Sequence, residues 1–194
     1  MANSNAPSGL TPVRYASGAP YNGASKRYFV PATDANDIFI GDPVIIAGSA
    51  DTDGVPTATI ATAAGGSRWT GVVVGFVPSS TIVTYGYRKA STADYILVAD
   101  DPNLLFEIQE DAVGGALAAV DVGLNADLIA GSGSAYTHRS GWQLDTSTKA
   151  TTATLQMRIV GFVQRPDNVI GANAKVLVRN NLPTETGAAG STGV

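Results

Sequence analysis

Short runs rich in β-branched and aromatic residues recur along the chain between clusters of Gly, Pro, Asn and Asp, which is the spacing of an all-β domain. The pattern predicts strands at 28–30, 37–40, 43–47, 57–62, 71–77, 82–87, 95–99 and 104–108, and again at 124–129, 142–144, 152–163 and 175–179. Alternation is plainest in the run at 152–163: Leu155, Met157 and Ile159 alternate with Gln156 and Arg158, the period of two for a strand with one wet face. A short helix is predicted at 111–120, where an acidic start precedes Gly115-Ala-Leu-Ala-Ala-Val120, although two glycines weaken it. No long helical pattern occurs.

Three features recur in the same order, as an internal repeat requires. Ile46-Ala-Gly-Ser49 is echoed by Ile129-Ala-Gly-Ser132, Val73-Val-Gly-Phe-Val77 by Ile159-Val-Gly-Phe-Val163, and Tyr95-Ile-Leu-Val98 by Lys175-Val-Leu-Val178. These echoes predict a pseudo-repeat over 37–100 and 121–180, two related β-units forming a barrel or sandwich within a β-domain at 28–182. Gly75 and Gly161 would mark bulges or close-approach points in it.

Residues 1–27 carry three prolines and no apolar period, and read as an extended N-terminal arm. The arm is aromatic and basic. It holds Tyr15 and Tyr21 with Arg14, Lys26 and Arg27, and the first acid of the chain is Asp34. A solvated linker seldom carries such residues, so these five side chains are the expected contacts to a partner, on which the arm orders. Residues 183–194 have the composition of a flexible tail.

Ala, Gly, Ser and Thr make up 84 of 194 residues and charged residues only 14%, which excludes a coiled coil and a charged disordered chain. The net charge of −4 argues against nucleic acid as the main partner. No apolar run approaches the ~18 residues of a membrane span, and the N-terminus lacks a charged region followed by an apolar one. A soluble chain used without export by a signal peptide is expected.

With no Cys and a single His, no thiolate metal site or disulfide exists and few catalytic constellations remain. His138 lies in a Gly/Ser-rich loop and reads as a loop residue rather than a base for a Ser nucleophile. Glu107, Glu110 and Asp111 could furnish a carboxylate pair for glycoside hydrolysis, but a solvated strand end is the simpler reading. Asp51-x-Asp53-Gly54, Ala64-Gly-Gly-Ser67 and Arg165-Pro-Asp-Asn168 read as turns. Trp69 and Trp142, at the starts of strands, read as core or interface packing rather than a sugar platform. Catalytic, cofactor and metal sites are all expected to be absent.

The opening Met1-Ala-Asn-Ser-Asn-Ala-Pro, the Gly9-Leu-Thr-Pro-Val-Arg14, Ala19-Pro-Tyr-Asn-Gly23 and Gly41-Asp-Pro-Val44 steps, and the later Gly123-Leu-Asn-Ala126, Ser140-Gly-Trp142, Ala153-Thr-Leu-Gln156, Arg165-Pro-Asp-Asn168 and Val176-Leu-Val-Arg-Asn-Asn181 runs resemble a known group. They are similar to the capsid cement or decoration proteins of tailed bacteriophages. The resemblance implies a virion structural protein without enzymatic activity. It would sit on the outer capsid surface, bind the major capsid protein, and self-associate as a trimer or dimer. A carbohydrate- or cell-surface-binding β-module is the alternative.

Overall fold

The computed structural model describes residues 3–185, 190, 192 and 193. In chain order they form β1 (Thr11–Tyr15), β2 (Lys26–Val30), β3 (Pro43–Ala50), β4 (Pro56–Ile60), β5 (Gly71–Phe76), α1 (Ser80–Tyr85) and β6 (Asp94–Ala99). These are followed by β7 (Leu104–Gln109), β8 (Asn125–Ile129), β9 (Gln143–Ala150), β10 (Met157–Phe162) and β11 (Lys175–Asn180). The architecture is all-β. Strands β2-β4-β3-β5-β6 close into a barrel, and β1-β7-β11-β10-β8-β9 form a six-stranded sheet.

The two units share one topology. In the first, β2 pairs with β6, β6 with β5, β5 with β3 and β3 with β4, all antiparallel. In the second, β7 pairs with β11, β11 with β10, β10 with β8 and β8 with β9, again antiparallel. A parallel contact closes the barrel, Phe29 to Thr57. A single parallel bridge from Glu110 to Leu144 joins the same ends of the second unit. The repeat therefore begins earlier in each unit than the sequence echoes, at β2 and at β7.

Local geometry matches as well. Gly41 and Gly123 take φ of 96° and 97°, a region glycine enters without steric cost. Their N–H groups donate to Val73 O (2.8 Å) and Ile159 O (2.9 Å). The Val73 and Ile159 N–H groups donate in turn to Asp42 O (3.0 Å) and Leu124 O (2.9 Å). Gly75 and Gly161 sit at register shifts, between Val73 and Gly75 and between Ile159 and Gly161.

Among the described residues two apolar clusters form the core. Tyr28, Val30, Val44, Val73, Ile96 and Val98 form the smaller, inside the barrel. The larger holds the inward residues of the second unit, Phe106, Ile108, Leu128, Leu144, Met157, Val176 and Val178. It also takes in Leu10, Trp69, Val72 and Ala99 from the N-terminal segment and the barrel, so one core spans the junction. Trp69 is fully buried there, its ring 5.6 Å from that of Phe106.

Several sequence expectations change. The strand expected at 82–87 is replaced by the helix α1. Ser79 accepts from Ile82 N–H (3.1 Å) and Gly86, at φ 74°, ends the helix, so capping overrides the β-branched run Thr81-Ile-Val-Thr84. The helix expected at 111–120 is a loop ending in a 3₁₀ turn at Ala119–Asp121. Asp111 Oδ1 accepts from Thr146 N–H (3.0 Å) and hydroxyl (2.8 Å), tying this loop to β9 in place of helical bonds. The segment at 37–40 makes only isolated bridges, Ile38 to Arg88 and Ile40 to Arg139. Gln156, expected on a wet face, is fully buried between the units. Its amide donates to Thr62 O (2.9 Å) and Ser67 O (3.1 Å), and its Oε1 accepts from Leu128 N–H (3.1 Å). Of the tail expected at 183–194, residues 186–189, 191 and 194 lie outside the described residues; in the rest, Pro183 bridges Trp69, the Thr184 hydroxyl meets that of Thr70 at 2.8 Å and Gly193 N–H donates to Thr151 O (2.9 Å).

Candidate interaction surfaces

The N-terminal segment is extended, and it lies along its own molecule. Asn3 Nδ2 donates to Val169 O (2.7 Å) and Ala172 O (3.0 Å), Ala6 N–H donates to Gln109 Oε1 (3.0 Å), and Gln109 Nε2 donates to Ser4 O (2.8 Å). Leu10 is 1% exposed in the large core. β1 adds to the edge of the second sheet against β7, with a register shift between Pro12 and Arg14. A turn then brings Tyr21 N–H back to Val13 O (3.0 Å).

The five expected contact residues divide between β1, its turn and β2. Tyr15 and Tyr21 are half-buried against the large core, and the Tyr21 hydroxyl donates to Ala24 O (2.9 Å). Lys26 and Arg27 belong to β2 rather than to an arm, because the ladder with β6 starts there, Lys26 opposite Val98 and Arg27 opposite Leu97. Lys26 Nζ lies 2.9 Å from Asp100 Oδ2, which also accepts from the Tyr28 hydroxyl (2.9 Å). Burial foremost, and then that carboxylate, hold the Tyr28 hydroxyl well above its ordinary pKa. The Arg27 guanidinium sits 4.8 Å over the Tyr95 ring, whose hydroxyl donates to Asp51 (2.6 Å). That bond holds the Asp51 carboxyl below its usual range. Arg14 is exposed on β1.

A surface that sequence patterning did not find lies where α1 meets the loop at 131–139. Tyr87 stacks on Phe39 at 4.5 Å, with Tyr85 6.1 Å and His138 6.3 Å away on other sides. The loop is pinned by Ser134, whose O accepts from His138 N–H (2.7 Å) and whose N–H donates to Arg139 O (2.9 Å). His138, at φ 56°, packs its ring against Gly86. From this rigid base project Tyr136, 94% exposed, Val83, 79% exposed, and Tyr85. The signal in the sequence is slight: Tyr136 stands 49 residues beyond Tyr87, and only the packing of the two units joins them.

Beside that end, a cleft of about 270 Å³ is lined by Phe39, Asp42, Ile60, Gly133 and Trp142. Asp42 is 2% exposed and accepts from Phe39 N–H (2.8 Å) and the Ser140 hydroxyl. Burial pushes its carboxyl up to about 6.

The other candidate groups serve local structure. Glu110 is fully buried, which corrects the solvated strand end expected there. Its Oε2 accepts from Ala112 N–H (2.8 Å), and burial raises its pKa. Glu107 accepts a bidentate pair from Arg165 (3.0 and 3.1 Å). Asp51 Oδ1 accepts from Asp53 N–H (2.9 Å) and Val55 N–H (2.8 Å), a turn held by its own carboxylate. Trp69 and Trp142 are buried and present no platform to solvent. Among the described residues no three His, Cys, Asp or Glu side chains are placed to hold a metal, and no helix is long and apolar enough to cross a membrane. No protein-family model, curated protein or solved structure matches the chain.

Proposed function

We propose that this chain is a virion structural protein that binds the outside of an assembled phage capsid and stabilises it, without enzymatic activity. The observation that carries the reading is the aromatic end. Tyr136, Val83 and Tyr85 are exposed on a base that capping, backbone pairing and ring stacking hold rigid. Exposed aromatic and aliphatic groups on a preorganised support are the chemistry of protein–protein contact, where little ordering entropy is lost on binding. The sequence resemblance to capsid cement proteins supports the same class of partner, the major capsid protein, with symmetric self-association, a trimer before a dimer, at the contact sites. The mechanism is mass action: a ligand that binds the assembled shell and not its separated subunits favours the shell.

The test is co-sedimentation of the purified protein with shells of the parent particle stripped of it, beside unassembled capsid subunits and soluble glycans. Saturable binding to shells alone is expected, weakened at least tenfold by the double variant Val83→Ser, Tyr136→Ser with its melting temperature unchanged. Binding to glycans without binding to shells would overturn the reading in favour of a carbohydrate-binding module.

A further inference from the structure

The outer face of the second unit carries a row of arginines that the topology of the first unit puts into relief. Arg14 on β1 pairs in register with Leu105 on β7, Leu105 with Arg179 on β11, and Arg179 with Arg158 on β10. Residues directly opposite on neighbouring strands point to the same side of a sheet, so three guanidinium-bearing side chains share one stripe. They line a cleft of about 430 Å³ together with Tyr15, Leu105 and Val160. Val160 is 40% exposed, and Leu105 is buried beneath the row.

Arg158, across the ladder from Arg179, is engaged within the chain: its guanidinium donates to Thr192 O (3.0 Å). Among the described residues Arg179 makes no ion pair. Its Nε donates to Pro102 O (3.4 Å) and its guanidinium to Asn103 Oδ1 (3.1 Å), both neutral acceptors. Glu107, two residues along β7 from Leu105, is taken by Arg165 and by Lys175 (3.0 and 3.5 Å). Neutral acceptors fix the guanidinium in place and leave its charge outward, a preorganised site for an anionic group.

The repeat shows what this place in the fold is used for. Ile159 and Val178 stand where Val73 and Val98 stand in the first unit, each pair in register across the equivalent strands. Arg158 and Arg179 therefore occupy the positions of Val72 and Ala99. Those two residues pair with each other, are both fully buried, and belong to the core that joins the units. In one unit this stripe makes an interface. In the other it presents arginine on a chain whose net charge is −4.

We propose that Arg14 and Arg179 of this stripe form a second docking surface, whose occupant is a protein surface bearing clustered carboxylates, engaged through bidentate Arg–carboxylate pairs. It rests on the shell-binding reading above, the acidic surface being that of the assembled capsid. The experiment is co-sedimentation with stripped parent shells at low and high salt, comparing wild type with Arg14→Glu, Arg179→Glu and with Arg14→Gln, Arg179→Gln. Phenylglyoxal modification of Arg14 and Arg179 on free and shell-bound protein is read by mass spectrometry in parallel. Expected results are at least tenfold weaker binding by the Glu variant, a smaller loss for the Gln variant, a shallower salt dependence in both, and protection of both arginines on shells. Wild-type protein that fails to sediment with shells would overturn the shell-binding reading itself. Shell binding by wild type and variants alike, with both arginines modified as in free protein, would overturn this inference alone. Tight arginine-dependent binding of a DNA oligonucleotide, without protection on shells, would overturn it in favour of a phosphate partner.

Discussion

Asp42 shows how one side chain ties the stability of this molecule to pH. Its carboxyl is raised from 3.8 to about 6, first by burial. The folded state therefore favours the protonated form, and the stability contributed by that form is present below the unfolded pKa and lost as pH rises through about 6. The shift corresponds to a loss on the order of 3 kcal/mol between pH 4 and pH 7. Asn at this position keeps an acceptor for the Phe39 N–H and carries no charge. Asp42→Asn should flatten the rise of urea midpoint on acidification across pH 4–6.5 and leave the protein more stable than wild type at pH 7.5; parallel midpoint-versus-pH curves for the two proteins would contradict this.

Buried polar side chains of the opposite kind hold loops that lack secondary structure. Arg88 is fully buried, pairs with Asp34 at 3.1 Å, and donates to Pro31 O (2.8 Å) and Thr92 O (2.7 Å). Arg88→Ala leaves Asp34 without its cation and several carbonyls without donors, and should cost about 3–5 kcal/mol in equilibrium unfolding. Gln156→Ala unties the Thr62 and Ser67 carbonyls of the first unit from Leu128 of the second, and should cost about 3 kcal/mol. A loss below a fifth of either figure would show that water replaces these partners without penalty.

At the scale of elements, the N-terminal segment decides how strand β1 is used. Because Leu10 fills the shared core and β1 completes the second sheet, removal of residues 3–25 should lower the melting temperature by well over 5 °C, since a degree-scale change follows from each kcal/mol lost. Leu10→Ala alone should cost about 2–4 kcal/mol. An unchanged melting temperature would return the segment to the role of an independent arm.

The strands were legible where alternation and turn residues agreed, as at β3, β5, β6, β7 and β11. They were illegible where other terms decided. β1 carries Pro12, which argues against a strand, and only its place at a sheet edge, where a missing N–H is tolerated, admits it. In α1, caps outweighed propensity. The Val-Gly-Phe echo falls on Gly75 and Gly161, at equivalent register shifts, whereas Ile-Ala-Gly-Ser lies within β3 in one unit and runs past the end of β8 in the other. The first strands of the repeat, β2 and β7, carry no shared residue pattern, since pairing rather than side-chain identity makes them equivalent. Of the expected contact residues, Arg14 faces outward in the arginine stripe, while Tyr15, Tyr21, Lys26 and Arg27 make contacts within the chain. The aromatic end joins positions 39, 83–87 and 136–138, which no local spacing connects.

At the scale of the whole molecule, two related units share one core and present two different surfaces: a rigid aromatic end and a basic stripe. On the proposed function, these two surfaces bind across subunit boundaries of a larger assembly. The decisive measurement is calorimetric melting of stripped parent shells titrated with the purified protein. A ligand specific for the assembled state raises its transition by RT ln(1 + [L]/Kd), about 2.7 kcal/mol at a hundredfold excess over Kd. The melting temperature of the shells should climb with free protein concentration along the same curve that describes its occupancy, and the Val83→Ser, Tyr136→Ser variant should need at least tenfold more protein for the same rise. Shells that melt at the same temperature with and without saturating protein would contradict the account.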